Sequence, residues 1–306
     1  MPHHTMARWL GLALVFGALI LGGLAHAGAA DNKIVVVDDR GREIVIDETP
    51  ERVVVAGTPL YTEIMVDIGA TDALVGVTAS PNNPPEVAGV ERIGPSFPSP
   101  NVERIIELEP DVVFGAIRDV RDRLESAGLT VVTPLQFISN VTEIFNMITT
   151  IGLIMDRSVD AELLVGQIST EIVQIESRTL ARDHPRAAFL YASPEGPPFA
   201  AGSDAMEGKL LARAGAENVF AEVSGVTQVS LETVVARDPE VIFTDPSQIE
   251  QLMSNERLSD VSAIANERVY GVQASTITST RVADALRQMA TKLHPNAFGE
   301  PANGED

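Results

Sequence analysis

The chain has 306 residues with 43 acidic against 22 basic side chains, and its formal charge of −21 disfavours a nucleic-acid backbone or an anionic membrane as partner. It contains no cysteine, which excludes disulfides, thiol nucleophiles and the lipidated cysteine of a lipoprotein from this sequence. Residues 1–27 read as a secretory signal peptide, with Arg8, an apolar core from Trp9 to Leu24 and the small-x-small site Ala25-His-Ala27. That core falls short of the ~20 residues of a spanning helix. The expectation is a soluble periplasmic protein that is not a lipoprotein, with a remainder, residues 28–306, long enough for one large or two medium domains.

Taken in order, Lys33-Ile-Val-Val-Val-Asp38 and Glu43-Ile-Val-Ile-Asp47 flank an Asp-Arg-Gly turn and predict a β-hairpin. Val53-Val-Val-Ala56 is a continuous apolar run, hence a buried strand, and Leu60–Ile68 repeats its apolar residues at a helical period up to Gly69. Leu74-Val-Gly-Val77 is the next strand. A proline-rich loop follows, and then Asn101-Val-Glu-Arg-Ile-Ile-Glu-Leu-Glu-Pro-Asp-Val-Val-Phe114, which combines a capped helix, a proline stop and a buried strand. Arg118–Ala127 is helical, and Leu129-Thr-Val-Val132 completes a first lobe.

From Val141 to Arg182 there is no proline, and apolar residues recur at a helical period. Such a segment predicts a rigid connector of roughly 60 Å if unbroken, which Gly152 and Asp156-Arg-Ser158 could bend or split in two. The second lobe opens with the strand Ala187–Ala192 and a helix from Met206 to Ala214. Ser230-Leu-Glu-Thr-Val-Val-Ala-Arg-Asp-Pro-Glu-Val-Ile-Phe243 then echoes the 101–114 stretch, and the strand Arg268–Val272 and a helix from Val282 to Leu293 complete the lobe. The repeat period is too long for a solenoid and predicts two similar lobes. The fold class expected is α/β: two Rossmann-like lobes with parallel sheets, at 28–140 and 183–306, joined by a long rigid interdomain helix at 141–182.

Enzyme chemistry finds little support. The sequence lacks Gly-x-Ser-x-Gly, a P-loop, Gly-x-Gly-x-x-Gly and His-Glu-x-x-His. Beyond the leader the histidines are His184 and His294, each before a proline at a helix end, too few for a His-rich metal site. No catalytic residue, metal ligand or cofactor is therefore expected. Glu103 and Glu232 occupy the same offset in the two copies of the repeat. The helix macrodipole explains either acid alone, but the pair also suits a two-point electrostatic dock.

The whole chain beyond the leader resembles the periplasmic binding proteins of ABC importers for iron complexes and cobalamin. The resemblance rests on the order and spacing of Asp39-Arg-Gly-Arg-Glu43, Pro50-Glu-Arg-Val-Val53, Ile68-Gly-Ala-Thr-Asp-Ala-Leu-Val-Gly76, Glu103-Arg-Ile with Pro110-Asp-Val-Val113, Gly215-Ala-Glu-Asn-Val-Phe220, Ser230-Leu-Glu-Thr233, Pro239-Glu-Val-Ile242, Glu267-Arg-Val-Tyr270 and Leu293-His-Pro295. Pro197-Pro-Phe-Ala-Ala-Gly202 looks most like the cobalamin-binding members.

The resemblance implies a ligand held between the lobes, a monomer, and Glu103 and Glu232 meeting arginines of a membrane permease. Ligands of open parallel sheets sit at the loops after the strands. That rule nominates Thr58, Tyr61, Ser96, Phe97 and Arg118 in the first lobe, and Phe199, Thr227, Asp245 and Arg281 in the second. Arg281 could equally brace the last helix. The partner expected is a small metal chelate or corrinoid. An iron–siderophore complex ranks first because Arg118 and Arg281 suit an anion. Cobalamin comes close behind: binders of it in this family flank the corrin with aromatic residues, and the only tryptophan here, Trp9, lies in the signal peptide; haem is third, with Tyr61 or Tyr191 as axial donor. An enzyme or structural protein on the same scaffold would need an acid–base or metal site in the cleft, for which the sequence offers no candidate.

Overall fold

The computed structural model describes residues 33–97, 99–193 and 196–299, so the expected signal peptide lies outside the described residues. From Lys33 onward the chain forms a single unit by its internal contacts. Strands β1 (Ile34–Val37) and β2 (Glu43–Ile46) form the expected hairpin, in antiparallel register with Val35 opposite Val45. Gly41 supplies the positive φ of 74° that its turn requires. Alternation puts Val36 and Ile46 into the core and Val35, Val37 and Val45 toward solvent.

The first lobe is built on β3 (Val53–Val55), α1 (Pro59–Asp67), β4 (Leu74–Val77), β5 (Glu91–Arg92), α2 (Val102–Glu107), β6 (Val112–Phe114), α3 (Arg118–Ser126) and β7 (Val131–Val132). Its strands lie all parallel in the order β5-β4-β3-β6-β7. β3 and β6 are buried on both faces, as their unbroken apolar runs Val53-Val-Val55 and Val112-Val-Phe114 require.

The segment after Asn140 resolves into α4 (Val141–Ile154) and α5 (Ser158–Thr179). A capping box starts α4: Asn140 accepts from the Glu143 N–H, and the Glu143 carboxylate accepts from the Asn140 N–H. The helix ends where Asp156 takes a φ of 53°. Of the two possibilities for this stretch, the split is the one observed. A Cβ on Gly152 would lie 2.4 Å from the Ala161 Cβ, so only glycine lets α5 come this close to α4. α4 packs on α1 and β1 of the first lobe. The span expected of one rod falls to the 22 residues of α5, roughly 33 Å.

The second lobe holds β8 (Arg186–Tyr191), β9 (Phe199–Ala201), α6 (Met206–Arg213), β10 (Glu217–Asn218), β11 (Val226–Gln228), α7 (Leu231–Arg237), β12 (Val241–Thr244), α8 (Ile249–Met253), α9 (Ser262–Ala265), β13 (Val269–Gly271), α10 (Ala274–Ile277), α11 (Val282–Leu293) and α12 (Pro295–Phe298). Its sheet order is β11-β9-β8-β12-β13, with β10 on β8. β8, β10, β12 and β13 run parallel, while β9 and β11 add an antiparallel pair that the parallel expectation did not include. α5 packs on α11 and α12 of this lobe. One core cluster continues from β3 and α1 through α4 and α5 to β8 and α11.

The sequence repeat is also a structural repeat. Asn101 accepts from the Arg104 N–H at 3.0 Å at the start of α2, and Ser230 accepts from the Thr233 N–H at 3.1 Å at the start of α7. Each helix then stops at an acid in the left-handed region before proline, Glu109 at φ 47° and Asp238 at φ 42°. Non-glycine residues enter that region at a cost of about 1–2 kcal/mol, so sharing it marks the turn as a device common to both halves. Each turn delivers an interior strand next to the central one of its sheet, β6 beside β3 and β12 beside β8.

Candidate functional site

At the C-terminal edge of the first sheet, the loops after β3, β5, β6 and β7 enclose a cavity of about 360 Å³. Its floor is a close crossing of two loops. A Cβ on Gly57 would lie 2.9 Å from the Gly115 Cα, and Gly115 itself has φ 77°. The Tyr61 ring lies over both glycines and stacks near Phe114 at 6.3 Å between centroids. Its hydroxyl donates to the Leu135 carbonyl at 3.1 Å, and burial pushes its pKa up, so it stays neutral.

The loop after β6 is held from behind by a buried cation. Arg121 Nε donates to the Ala116 carbonyl at 3.0 Å, and Thr133 Oγ1 donates to the same oxygen at 2.7 Å. The Arg121 guanidinium contacts Asp39 at 2.6 Å, with Nη1 pointing off the direction of a hydrogen bond. This ties the cavity wall to the hairpin turn, whose Asp39 N–H also donates to the Thr133 carbonyl at 2.8 Å.

Thr58, Tyr61, Ser96 and Phe97 all line the cavity. Arg118 does not; it sits just past Ile117, which does line it, exposed and with a left-handed φ of 53°. Such strain outside glycine concentrates at functional loops. Phe199, Thr227, Asp245 and Arg281 line no part of this cavity. Phe199 opens β9, and the Thr227 hydroxyl donates to the Ser224 carbonyl at 2.6 Å. Asp245 caps a short 3-10 turn by accepting from the Ser247 N–H at 3.0 Å. Arg281, just before α11, donates to the buried carboxylate of Glu63 on α1 at 2.6 Å.

Sequence reasoning missed Phe137 and Thr278. Phe137, in the loop after β7, is 69% exposed, and Phe97 is 83% exposed; both line the cavity. The rule about loops after parallel strands would have found Phe137. Thr278 reaches the cavity from the second lobe and had no signal in the sequence. Among the described lining residues no side chain is charged; the polar ones are the hydroxyls of Thr58, Tyr61, Ser96, Thr133 and Thr278 and the amide of Gln136, beside the aromatic rings.

Glu103 and Glu232 lie in the first turns of α2 and α7 with side chains 72% exposed. Arg123 meets Glu103 at 2.7 Å, and Arg257 meets Glu232. His184 Nδ1 and His294 Nε2 bond the carbonyls of Gly215 and Ala214 at the end of α6, a structural use of both rings. Among the described residues no cluster of potential ligands could hold a metal ion, and no helix is long and apolar enough to cross a membrane.

Known proteins share both the sequence and the scaffold. The chain is 27% identical to an uncharacterized ABC transporter substrate-binding lipoprotein YvrC of Bacillus subtilis, over 94% of this chain and 97% of that protein. It is 27% identical to a cobalamin-binding protein of Halobacterium salinarum, over 84% of this chain and 73% of that protein. The structure of an ABC-type Fe3+-hydroxamate transport system from Saccharomonospora viridis superposes with a TM-score of 0.71 at 23% identity, covering 87% of this chain and 99% of that one, a likeness of fold.

The B. subtilis relative overturns the expectation of a periplasmic protein that is not a lipoprotein. It is named a lipoprotein and matches nearly the whole chain, so the shared fold and motif order carry no location. The missing cysteine speaks only of this sequence, and where the sequence begins decides nothing. The periplasmic binding protein profile matches residues 54–276, which reaches from β3 of the first lobe to α10 of the second. By that match, and on its two-lobed scaffold, the chain belongs to the periplasmic binding protein family.

Proposed function

We propose that this protein is the substrate-binding component of an ABC importer, that it carries a corrinoid between its lobes, and that it presents Glu103 and Glu232 to arginines of the permease. The observation that carries the ligand reading is the pair of exposed phenylalanines, Phe97 and Phe137, at an uncharged cavity. Large apolar rings left in water are favoured partners for a flat, weakly charged macrocycle. The cavity seats an edge of such a ring while the two phenylalanines flank it. The relative named as cobalamin-binding supports the same reading.

An iron–siderophore complex, ranked first on sequence, drops to second. It relied on two arginines, and Arg281 is engaged by Glu63, which leaves Arg118 at the rim as the observation in its favour. Haem remains third, because both proposed axial donors are occupied: Tyr61 by the Leu135 carbonyl and Tyr191 by Glu207 at 2.7 Å. Calorimetric titration with cyanocobalamin, a ferric hydroxamate and haemin separates the three. Cyanocobalamin should bind, and Phe97→Ala with Phe137→Ala should weaken it by about 2 kcal/mol or more. Tight binding of the ferric hydroxamate without any of the corrinoid would transfer the assignment. Glu103→Ala with Glu232→Ala should lower importer-dependent uptake and leave affinity intact.

A further inference from the structure

Glu63 is a buried carboxylate that the cavity does not use. Its side chain is 4% exposed on α1, the helix whose N-cap and first turn bring Thr58 and Tyr61 to the cavity. Its partners come from the other lobe. Arg281 Nη2 donates to Glu63 Oε1 at 2.6 Å, and Thr280 Oγ1 donates to Oε2 at 3.5 Å. Both belong to the turn between α10 and α11, and Thr278 of the same turn closes the cavity. The turn is rigid in itself: Ser279 Oγ donates to the Thr276 carbonyl at 3.0 Å and accepts from the Arg281 N–H at 3.0 Å. Where Glu63 holds this turn, Thr278 is held too.

We propose that Glu63 and Arg281 are positioning residues, whose pair latches the turn of the second lobe onto α1 and sets the separation between the two walls of the cavity. The geometry has the form of a latch because one partner is sunk and the other is reachable. Glu63 is enclosed, whereas the Arg281 side chain is 51% exposed. Removing the guanidinium strands a buried carboxylate, which is costly, while a neutral isostere at Glu63 is tolerated far better. The other titratable groups facing the site are acids: Asp67, one turn further along α1, and Glu86, which faces Asp67. Burial pushes both Glu63 and Asp67 up, against the pull of Arg281 and Thr280. Arg281 is thus the cation that lets two neighbouring acids share one interface. The effect on affinity rests on the corrinoid reading of the cleft, whereas the latch itself does not.

Because the sequence has 0 cysteines, introducing Asp119→Cys and Glu250→Cys places spin labels at two chosen exposed positions, one per lobe. Electron–electron distance measurement on the ligand-free chain should give one narrow distance, broadened by Arg281→Ala and largely restored by Arg281→Lys, since the pair uses a single nitrogen. Glu63→Gln keeps the shape and serves as the second variant, with broadening between the two. Cyanocobalamin affinity should fall at least tenfold in Arg281→Ala, about 1.4 kcal/mol, and recover in Arg281→Lys. Its variation with pH should flatten in Glu63→Gln. An unbroadened distance in both Arg281→Ala and Glu63→Gln overturns the latch. Broadening in a protein that never binds cyanocobalamin leaves the latch standing and removes the corrinoid reading.

Discussion

Among the described residues two carboxylates are sunk into the protein, one in the hairpin turn and one between the lobes, and burial has opposite outcomes for them. The Asp38 side chain is 1% exposed, yet it accepts from the Arg40 N–H at 2.9 Å, the Arg42 N–H at 2.8 Å and Arg42 Nε at 2.8 Å. Burial pushes its pKa up, but those hydrogen bonds outweigh it and the net direction is down. Glu63 is nearly as enclosed, and desolvation outweighs the pull of Arg281 and of the Thr280 backbone and hydroxyl, with Asp67 adding to the rise, so the direction is up. The difference is the number of donors aimed at the charge. Asp38 draws on residues two and four positions away, which a tight turn supplies at once, whereas the donor to Glu63 is 218 positions away.

The sharpest way to break this contrast is Asp38→Ala. It takes the acceptor away from the Arg40 and Arg42 N–H groups, leaves Arg42 paired with Glu125, and removes one of the two acids beside the buried Arg121, and it should cost about 1–3 kcal/mol in urea unfolding. The repeated caps are more modest. Asn101→Ala and Ser230→Ala each remove one bond to a helix N–H and should cost about 1 kcal/mol apiece, adding without coupling because they sit in different lobes.

The smallest effect is a change of slope with pH, and its sign differs between the two acids. Asp38, held below its usual value of 3.8, contributes stability that is present above that value and lost as pH falls through its lowered folded pKa. Glu63, held above its usual 4.5, binds its proton more tightly folded than unfolded, so stability is greatest below 4.5 and declines as pH rises through the raised pKa. Asp38→Asn should flatten the acid side of a stability profile, and Glu63→Gln should flatten the decline above it. Identical slopes in both variants would contradict the assignment.

Much of the scaffold could be read from the chain. The run Val53-Val-Val55 is a strand buried on both faces, the helix expected at 282–293 occupies those residues, and both acid-Pro turns precede buried strands. β9 and β11 escaped because Phe199-Ala-Ala201 is short and lies among prolines and glycines, so its pairing depends on β8 rather than on its own pattern. The cavity was half legible. Thr58, Tyr61, Ser96 and Phe97 follow from the strand-end rule. Arg281 did not, because a guanidinium beside a cleft and one tied to a hidden carboxylate look alike in sequence.

By itself the sequence determined what depends on neighbours along the chain. Strand and helix periods, the caps at Asn101 and Ser230, and the turn that satisfies Asp38 all involve bonds a few residues long. The tertiary structure alone decided that the second lobe brings Thr278 to the cavity and that Arg281 reaches back to Glu63. Those contacts join residues of different lobes, and nothing local in the chain records which distant partner a buried charge will meet.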